Sequence, residues 1–354
     1  MAILGVESVV FGVDDVARCC RFWTDFGLTA LSIGPQEGVF EVMTGSKVIV
    51  RRRDDAALPG AYADKPGVRE TIWGVDTTEA LEKLVASLAV DREVRRDSDG
   101  TAHFLADDGM PLGLRVWRKR SVVCQPDPVN APGNIQRLNL HRKWRQRAIP
   151  KTINHVVFFA RDYVASLEFF INRLGFRYTD HSRGAGAFAR ADGTNEHHSI
   201  FFVSTALPMA PDQPGFMHMA FGLEDIDELM LGVNQMDAKG WKNLSTNSSG
   251  GLSRHRISSA IYYYLDNPNG GEAEYHVDTD YLDDNWVPRV WDWKFGSLLW
   301  ATHTPSFWRA AKIDWDMQFD PDRKSLEPFR GVRPKAVLPQ EPAGKLKPEG
   351  EQAR

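Results

Sequence analysis

The chain has 354 residues, 42% hydrophobic and 25% charged, with a formal net charge of -4. That composition suits a globular protein long enough for two domains, and its charge gives no basic footprint for nucleic acid or an anionic membrane. Cys19, Cys20 and Cys124 do not make a disulfide framework, and with no basic amino-terminal leader or membrane-length apolar run the expected setting is the cytoplasm.

Taken in chain order, Glu7-Ser8-Val9-Val10-Phe11 reads as a strand. Asp14-Asp15 then opens an amphipathic helix through Cys20 to Phe26, ended at Gly27. A strand from Glu70 to Asp76 leads into a helix from Thr78 to Leu88, and Asp108 to Gly113 closes the half. The series then returns: Asn154 to Phe158, Arg161-Asp162, Glu168 to Phe176, His218 to Glu224, a helix from Asp225 to Ala238, and Asn269 to Glu274. An internal repeat of this kind predicts an α+β protein in which each half has a βαβββ-type layout.

The predicted organisation is a first repeat domain over 1–120, a linker over 121–150 and a second repeat domain over 151–300. An aromatic extension over 301–330 and a polar tail over 331–354 follow. The linker is broken by Pro126, Pro128 and Pro132 and is locally basic through Arg137, Arg142, Lys143, Arg145 and Arg147, as a solvated, surface-hugging segment would be. Residues 281–320 hold six of the eleven Trp (Trp286, Trp291, Trp293, Trp300, Trp308 and Trp315) and are expected to pack back on the second half.

Inside the apolar strand runs of the second half stand His155, His218 and Glu274. A polar side chain there costs free energy unless it has a partner, and two imidazoles with one carboxylate are the facial set that holds non-haem Fe(II) and leaves coordination positions open. The same set also suits Mn(II), the second choice. In the first half the matching positions are Ser8, Glu70 and Gly113, so no metal is expected there.

Other candidates cluster nearby. His197-His198 is read as the start of a strand, with one imidazole on each face. Ser258 to Tyr263 reads as a strand after His255, and the turn Asp266 to Gly271 doubles the chain back so that Tyr264 lies beside Glu274.

The stretch from His255 through Tyr264, Pro268 and Gly270 to Glu274 resembles the motif of the type I extradiol ring-cleaving dioxygenases, and the contexts of His155 and His218 fit its other two ligands. The resemblance spans roughly residues 3–300; Tyr263 and Asn267 depart from the usual pattern, which bears on substrate rather than on reaction type. It implies the paired βαβββ modules of the vicinal oxygen chelate superfamily, with the metal in the second half. It also implies Fe(II) on His155, His218 and Glu274, His198 as acid or base, and His255 and Tyr264 as substrate- and oxygen-orienting groups. A substituted catechol and O2 are the implied substrates, and a homo-oligomer is the expected assembly. Competing readings are an enzyme resembling 4-hydroxyphenylpyruvate dioxygenase, a glyoxalase-type enzyme, and a ligand-sequestering relative. The first does not need the His255–Tyr264 pair, the second usually draws four ligands from both halves, and the third commonly lacks a complete triad.

Overall fold

Side-chain alternation along the strands sorts this chain into two sheets around a shared core. A computed structural model describes residues 3–60, 62, 66–208, 210–241, 251–304 and 316–320. In the first half, β1 (Ile3–Val13), α1 (Val16–Asp25), β2 (Thr29–Ile33), β3 (Glu37–Glu41) and β4 (Lys47–Arg52) form one βαβββ unit. A second is formed by β5 (Gly67–Val75), α2 (Thr78–Leu88), β6 (Arg95–Arg96), β7 (Ala102–Leu105) and β8 (Pro111–Val116).

The second half repeats both units. The first comprises β9 (Thr152–Ala160), α3 (Tyr163–Leu174), β10 (Arg177–Ser182), β11 (Gly186–Arg190) and β12 (Ile200–Ser204). The other comprises β13 (Gly215–Gly222), α4 (Ile226–Ala238), β14 (Ser253–Arg254), β15 (Ile261–Asp266) and β16 (Glu272–Val277). Each half thus holds the unit twice, the paired βαβββ modules that the family resemblance implies, where the residue pattern alone gives one such layout per half. Each half makes one sheet, and in both the two units meet through their opening strands, β1 against β5 and β9 against β13.

The helices begin where side chains satisfy their free amide groups. Asp15, Thr77, Asp162 and Asp225 each accept from a backbone N–H of the first turn of α1, α2, α3 and α4. Gly175 ends α3 at φ 75°, a conformation glycine adopts without steric cost.

One apolar core joins the halves. Phe26, which caps the C-terminus of α1, stacks on Tyr275 of β16 at 4.0 Å between ring centroids, and the Tyr275 hydroxyl donates to the Phe26 carbonyl at 2.7 Å. Burying side chains of this size stabilises the fold by on the order of 2 kcal/mol each. Val156 and Phe158, Met219 and Phe221, and Tyr275 all point into this core. Their neighbours along the same strands therefore face the other side of the sheet, which is where the polar residues His155, His218 and Glu274 lie.

The aromatic segment after residue 281 does return to the second sheet. β17 (Arg289–Trp291) pairs with β10, and β18 (Trp300–Ala301) pairs with β14. A short helix, α5 (Trp293–Ser297), lies between them, and β19 (Met317–Phe319) pairs with β17. Trp308, Trp315 and the tail from residue 331 lie outside the described residues. Three of the linker's cations are held in ion pairs at the start of α4: Arg142 with Asp227, Lys143 with Glu224, and Arg145 with Glu224 and Asp225. No helix among the described residues is long and apolar enough to cross a membrane.

Candidate metal centre and active site

Strands β9, β13 and β16 are neighbours, with β13 in the middle. Ala220 of β13 lies opposite His155 on one side and Glu274 on the other. Cross-strand partners share a face, and His218, two residues before Ala220, shares it too. The small Ala220 side chain leaves room for three longer ones to converge. His218 Nε2 lies 3.1 Å from Glu274 Oε2 and 3.3 Å from His155 Nε2, and His155 Nε2 lies 3.4 Å from Glu274 Oε2.

This triangle fits a metal ion. Donors about 2.1 Å from one ion at right angles stand about 3.0 Å apart, close to the separations here. The chemistry of the donors agrees. All three residues are buried, and neither Glu274 oxygen has a hydrogen-bond partner among the described residues. A buried carboxylate without donors calls for a cation. Burial by itself would push the Glu274 carboxyl up, but the two imidazoles beside it hold it well below the usual carboxylate range. No other set of three or more His, Cys, Asp or Glu side chains comes together in this way among the described residues.

A cavity of about 180 Å³ opens beside the triangle, and His155, His198, His218, His255, Tyr264 and Glu274 all line it. All six residues picked out in the sequence thus come together. The rest of the wall is mostly apolar, including Phe159, Phe188, Phe201, Val203, Leu207, Met217, Trp293 and Leu298. Trp293 and Leu298 come from the aromatic segment, which closes part of the wall.

Two local expectations are corrected. His197 and His198 do not begin a strand; they sit in a bend ahead of β12, which starts at Ile200. The opposed facing nevertheless holds: His198 lines the cavity while His197 turns into the protein toward Asp180. Nor is Ser258 to Tyr263 a strand throughout. Ser258 and Ser259 adopt φ 68° and 59°, incompatible with extended backbone, and β15 begins at Ile261. The hairpin beyond holds as expected, with Tyr264 directly opposite Glu274.

His255 is fixed by partners on two sides. Its Nδ1 lies 2.6 Å from the Ser297 carbonyl and must donate to it, leaving Nε2 to face the Tyr264 hydroxyl at 3.4 Å. Its ring stacks on Tyr262 at 3.9 Å. Burial lowers His255 to about 4 and carries His198 well below its ordinary value, the latter aided by neighbouring imidazoles. Burial, then the nearby Glu274 charge, raises the Tyr264 phenol well above its ordinary value. The site therefore offers neutral imidazoles and a protonated phenol to whatever enters.

Sequence reasoning missed three neighbours. His276 lies two residues beyond Glu274 on the same strand face, with its ring 5.5 Å from that of His155; the alternation of β16 was the available signal. Asp180, which holds His197, and Ser297, whose carbonyl holds His255, carry no local signal because they arrive from distant segments.

The family model for the Glyoxalase/Bleomycin resistance protein/Dioxygenase superfamily matches residues 152–270. Metapyrocatechase 2 of Cupriavidus necator is 30% identical over 284 residues, covering 79% of this chain and 83% of the relative. The chain belongs to the type I extradiol ring-cleaving dioxygenases of the vicinal oxygen chelate superfamily. An iron-dependent extradiol dioxygenase of Rhodococcus jostii (strain RHA1) is 30% identical over 150 residues, covering 39% of this chain and 47% of that relative. The fold matches the crystal structure of BphC, a halotolerant catechol dioxygenase, with a TM-score of 0.65 at 15% identity, over 90% of this chain and 99% of that one. The protein is thus a ring-cleaving dioxygenase, and His155, His218 and Glu274 form a buried triad whose geometry suits a metal ion.

Proposed function

We propose that this dioxygenase opens a substituted, single-ring catechol at the bond beside its diol, using O2 and ferrous iron held by His155, His218 and Glu274. The observation that carries the reading is the convergence of that triangle with His198, His255 and Tyr264 on one apolar cavity. An iron-dependent relative supports the choice of metal. The volume supports one ring, since a cavity of about 150 Å³ in another protein takes benzene.

Iron bound there supplies Lewis acidity to the diol and a route for electrons between substrate and O2. The protein does the rest. Neutral His198 accepts a proton from a substrate hydroxyl and returns it to oxygen as the ring opens, a task suited to an imidazole. Tyr264, kept protonated, donates its one hydroxyl hydrogen to a substrate oxygen, in place of the long 3.4 Å contact with the acceptor Nε2 of His255. Phe188 and Phe201, stacked at 3.8 Å, and Trp293 provide a flat apolar wall and keep water out. Both oxygen atoms enter the product, a semialdehyde acid, with no external reductant.

Turnover under isotopically labelled O2 tests the reading. Both labelled atoms should appear in one ring-opened product when its aldehyde is reduced at once, before that oxygen exchanges with water. A ring-opened product with no labelled atom in its carboxylate would overturn it.

A further inference from the structure

Behind His198 lies a hydrogen-bonded chain that the reaction described above does not use. The Nδ1 atoms of His198 and His197 are 3.0 Å apart, and His197 Nε2 is 3.2 Å from Asp180 Oδ2. All three residues are buried. Asp180, on β10, also accepts from the Arg289 amide at 2.8 Å through Oδ1 and from the Trp291 indole at 3.1 Å through Oδ2. The His197 backbone N–H donates to the Asp280 carbonyl at 3.0 Å, which fixes where this residue stands.

The directions of these bonds follow from the partners. A carboxylate that accepts from an amide and an indole is an acceptor toward His197 as well, so His197 Nε2 carries a hydrogen. With Nε2 as its protonated nitrogen, His197 has a lone pair on Nδ1, which accepts from His198. That places the His198 hydrogen on Nδ1 and leaves its Nε2 as a lone pair on a residue lining the cavity.

We propose that Asp180 and His197 are positioning residues that fix His198 in the Nδ1–H tautomer, so that its Nε2 is ready to take the proton of the substrate hydroxyl. This rests on the acid–base role given to His198 above. In the step itself the substrate O–H bond breaks and an N–H bond forms at Nε2; no electrons change hands, and the proton later returns to a product oxygen. A purely structural role for the chain would make Asp180 a support for β17 and His197 a filler beside Phe188 and Trp286, with no bearing on which His198 nitrogen is protonated.

Asp180→Asn separates the two. The amide can still accept from Arg289, but if it donates to His197 Nε2 every bond in the chain reverses and His198 becomes the Nε2–H tautomer. With the iron-loaded enzyme and a cleaved catechol, kcat should fall on the order of a hundredfold while KM and iron content hold. Adding Asp180→Asn to His198→Ala should cost nothing further, because both act through one imidazole. His197→Phe, which breaks the chain without touching Asp180, should give the same loss and serves if Asp180→Asn does not fold. In the metal-free protein, nitrogen NMR with labelled histidine should show a protonated Nδ1 and an unprotonated Nε2, assigned to His198 by difference from His198→Ala.

An Nε2–H tautomer in the unsubstituted protein, unchanged kcat in both single variants, or fully additive losses in the double variant would overturn the relay while leaving catechol cleavage intact. An unsubstituted enzyme that cleaves no catechol would instead overturn the function proposed above, and the relay with it.

Discussion

Glu70 and His218 occupy the same register position in the two sheets, yet Glu70 is bound to a histidine where His218 faces a carboxylate and a second imidazole. Glu70 pairs with Val10 across β5 and β1, just as His218 pairs with Val157 across β13 and β9. Its Oε1 lies 2.7 Å from His103 Nδ1, and His103 stands opposite Gly113 as Tyr264 stands opposite Glu274. Ile72 takes the place of Ala220, between Ser8 and Gly113, and a Cβ added at Gly113 would meet its Cγ1 at 2.9 Å. Among the described residues the first half brings no such triad together, and Ile72 occupies the space that Ala220 leaves open in the second half.

One metal ion per chain follows. Glu70→Gln should leave metal content at one equivalent, whereas His218→Ala should remove most of it. Metal analysis after dialysis decides; two equivalents in the unsubstituted protein, or loss in Glu70→Gln, would contradict this.

The Glu70–His103 pair should show its own pH dependence. Burial would lower His103, but Glu70 outweighs it and raises the imidazole above its ordinary value. A raised value in the folded state gives stability that is fully present below the unfolded value of about 6.5 and is lost as pH rises through the folded one. Glu70→Gln should therefore cost about 1 kcal/mol or less at pH 5.5, the pair being partly solvated, and almost nothing at pH 9. Urea unfolding at both pH values measures it; a larger cost at pH 9 would show the sign to be wrong.

Tyr264→Phe should bind metal normally and lose about tenfold or more in kcat, as expected for a hydrogen bond to a charged oxygen worth about 1.5–3 kcal/mol. Steady-state kinetics with metal content measured in parallel would reveal a loss due to metal release instead.

How much of this site could be read from residues alone depends on how local each signal is. His155, His218 and Glu274 stood out because each interrupts an apolar strand whose alternate residues, such as Val156, Phe221 and Tyr275, fill the core. Tyr264 was legible because a tight turn fixes its register against Glu274. Helix starts were legible in Asp15, Asp162 and Asp225, which cap their own first turns. The bend at His197 and the left-handed Ser258 and Ser259 were not, since neighbours distant in sequence impose them: Asp280 holds the His197 amide, and the Ser258 carbonyl accepts from the Asp280 amide. The finer fourfold repeat was hidden by strands as short as Arg95–Arg96 and Ser253–Arg254, too brief to show alternation.

Leu207 forms part of the apolar cavity wall with Val203 and Phe159. Leu207→Ala should shift the ratio of kcat/KM values toward catechols with larger substituents by about tenfold, the scale set by one or two methylenes in an apolar pocket. It should also cost about 2–3 kcal/mol in stability. Competition between two catechols of different substituent size reads the shift, and an unchanged ratio would place the substituent elsewhere.

Extradiol cleavage at the His155–His218–Glu274 centre is open to a single experiment: anaerobic reconstitution with Fe(II), followed by air and a panel of substituted catechols. A yellow ring-fission product should form from at least one single-ring catechol, and none with His155→Ala. Turnover of 4-hydroxyphenylpyruvate with release of CO2, and no product from any catechol, would contradict it.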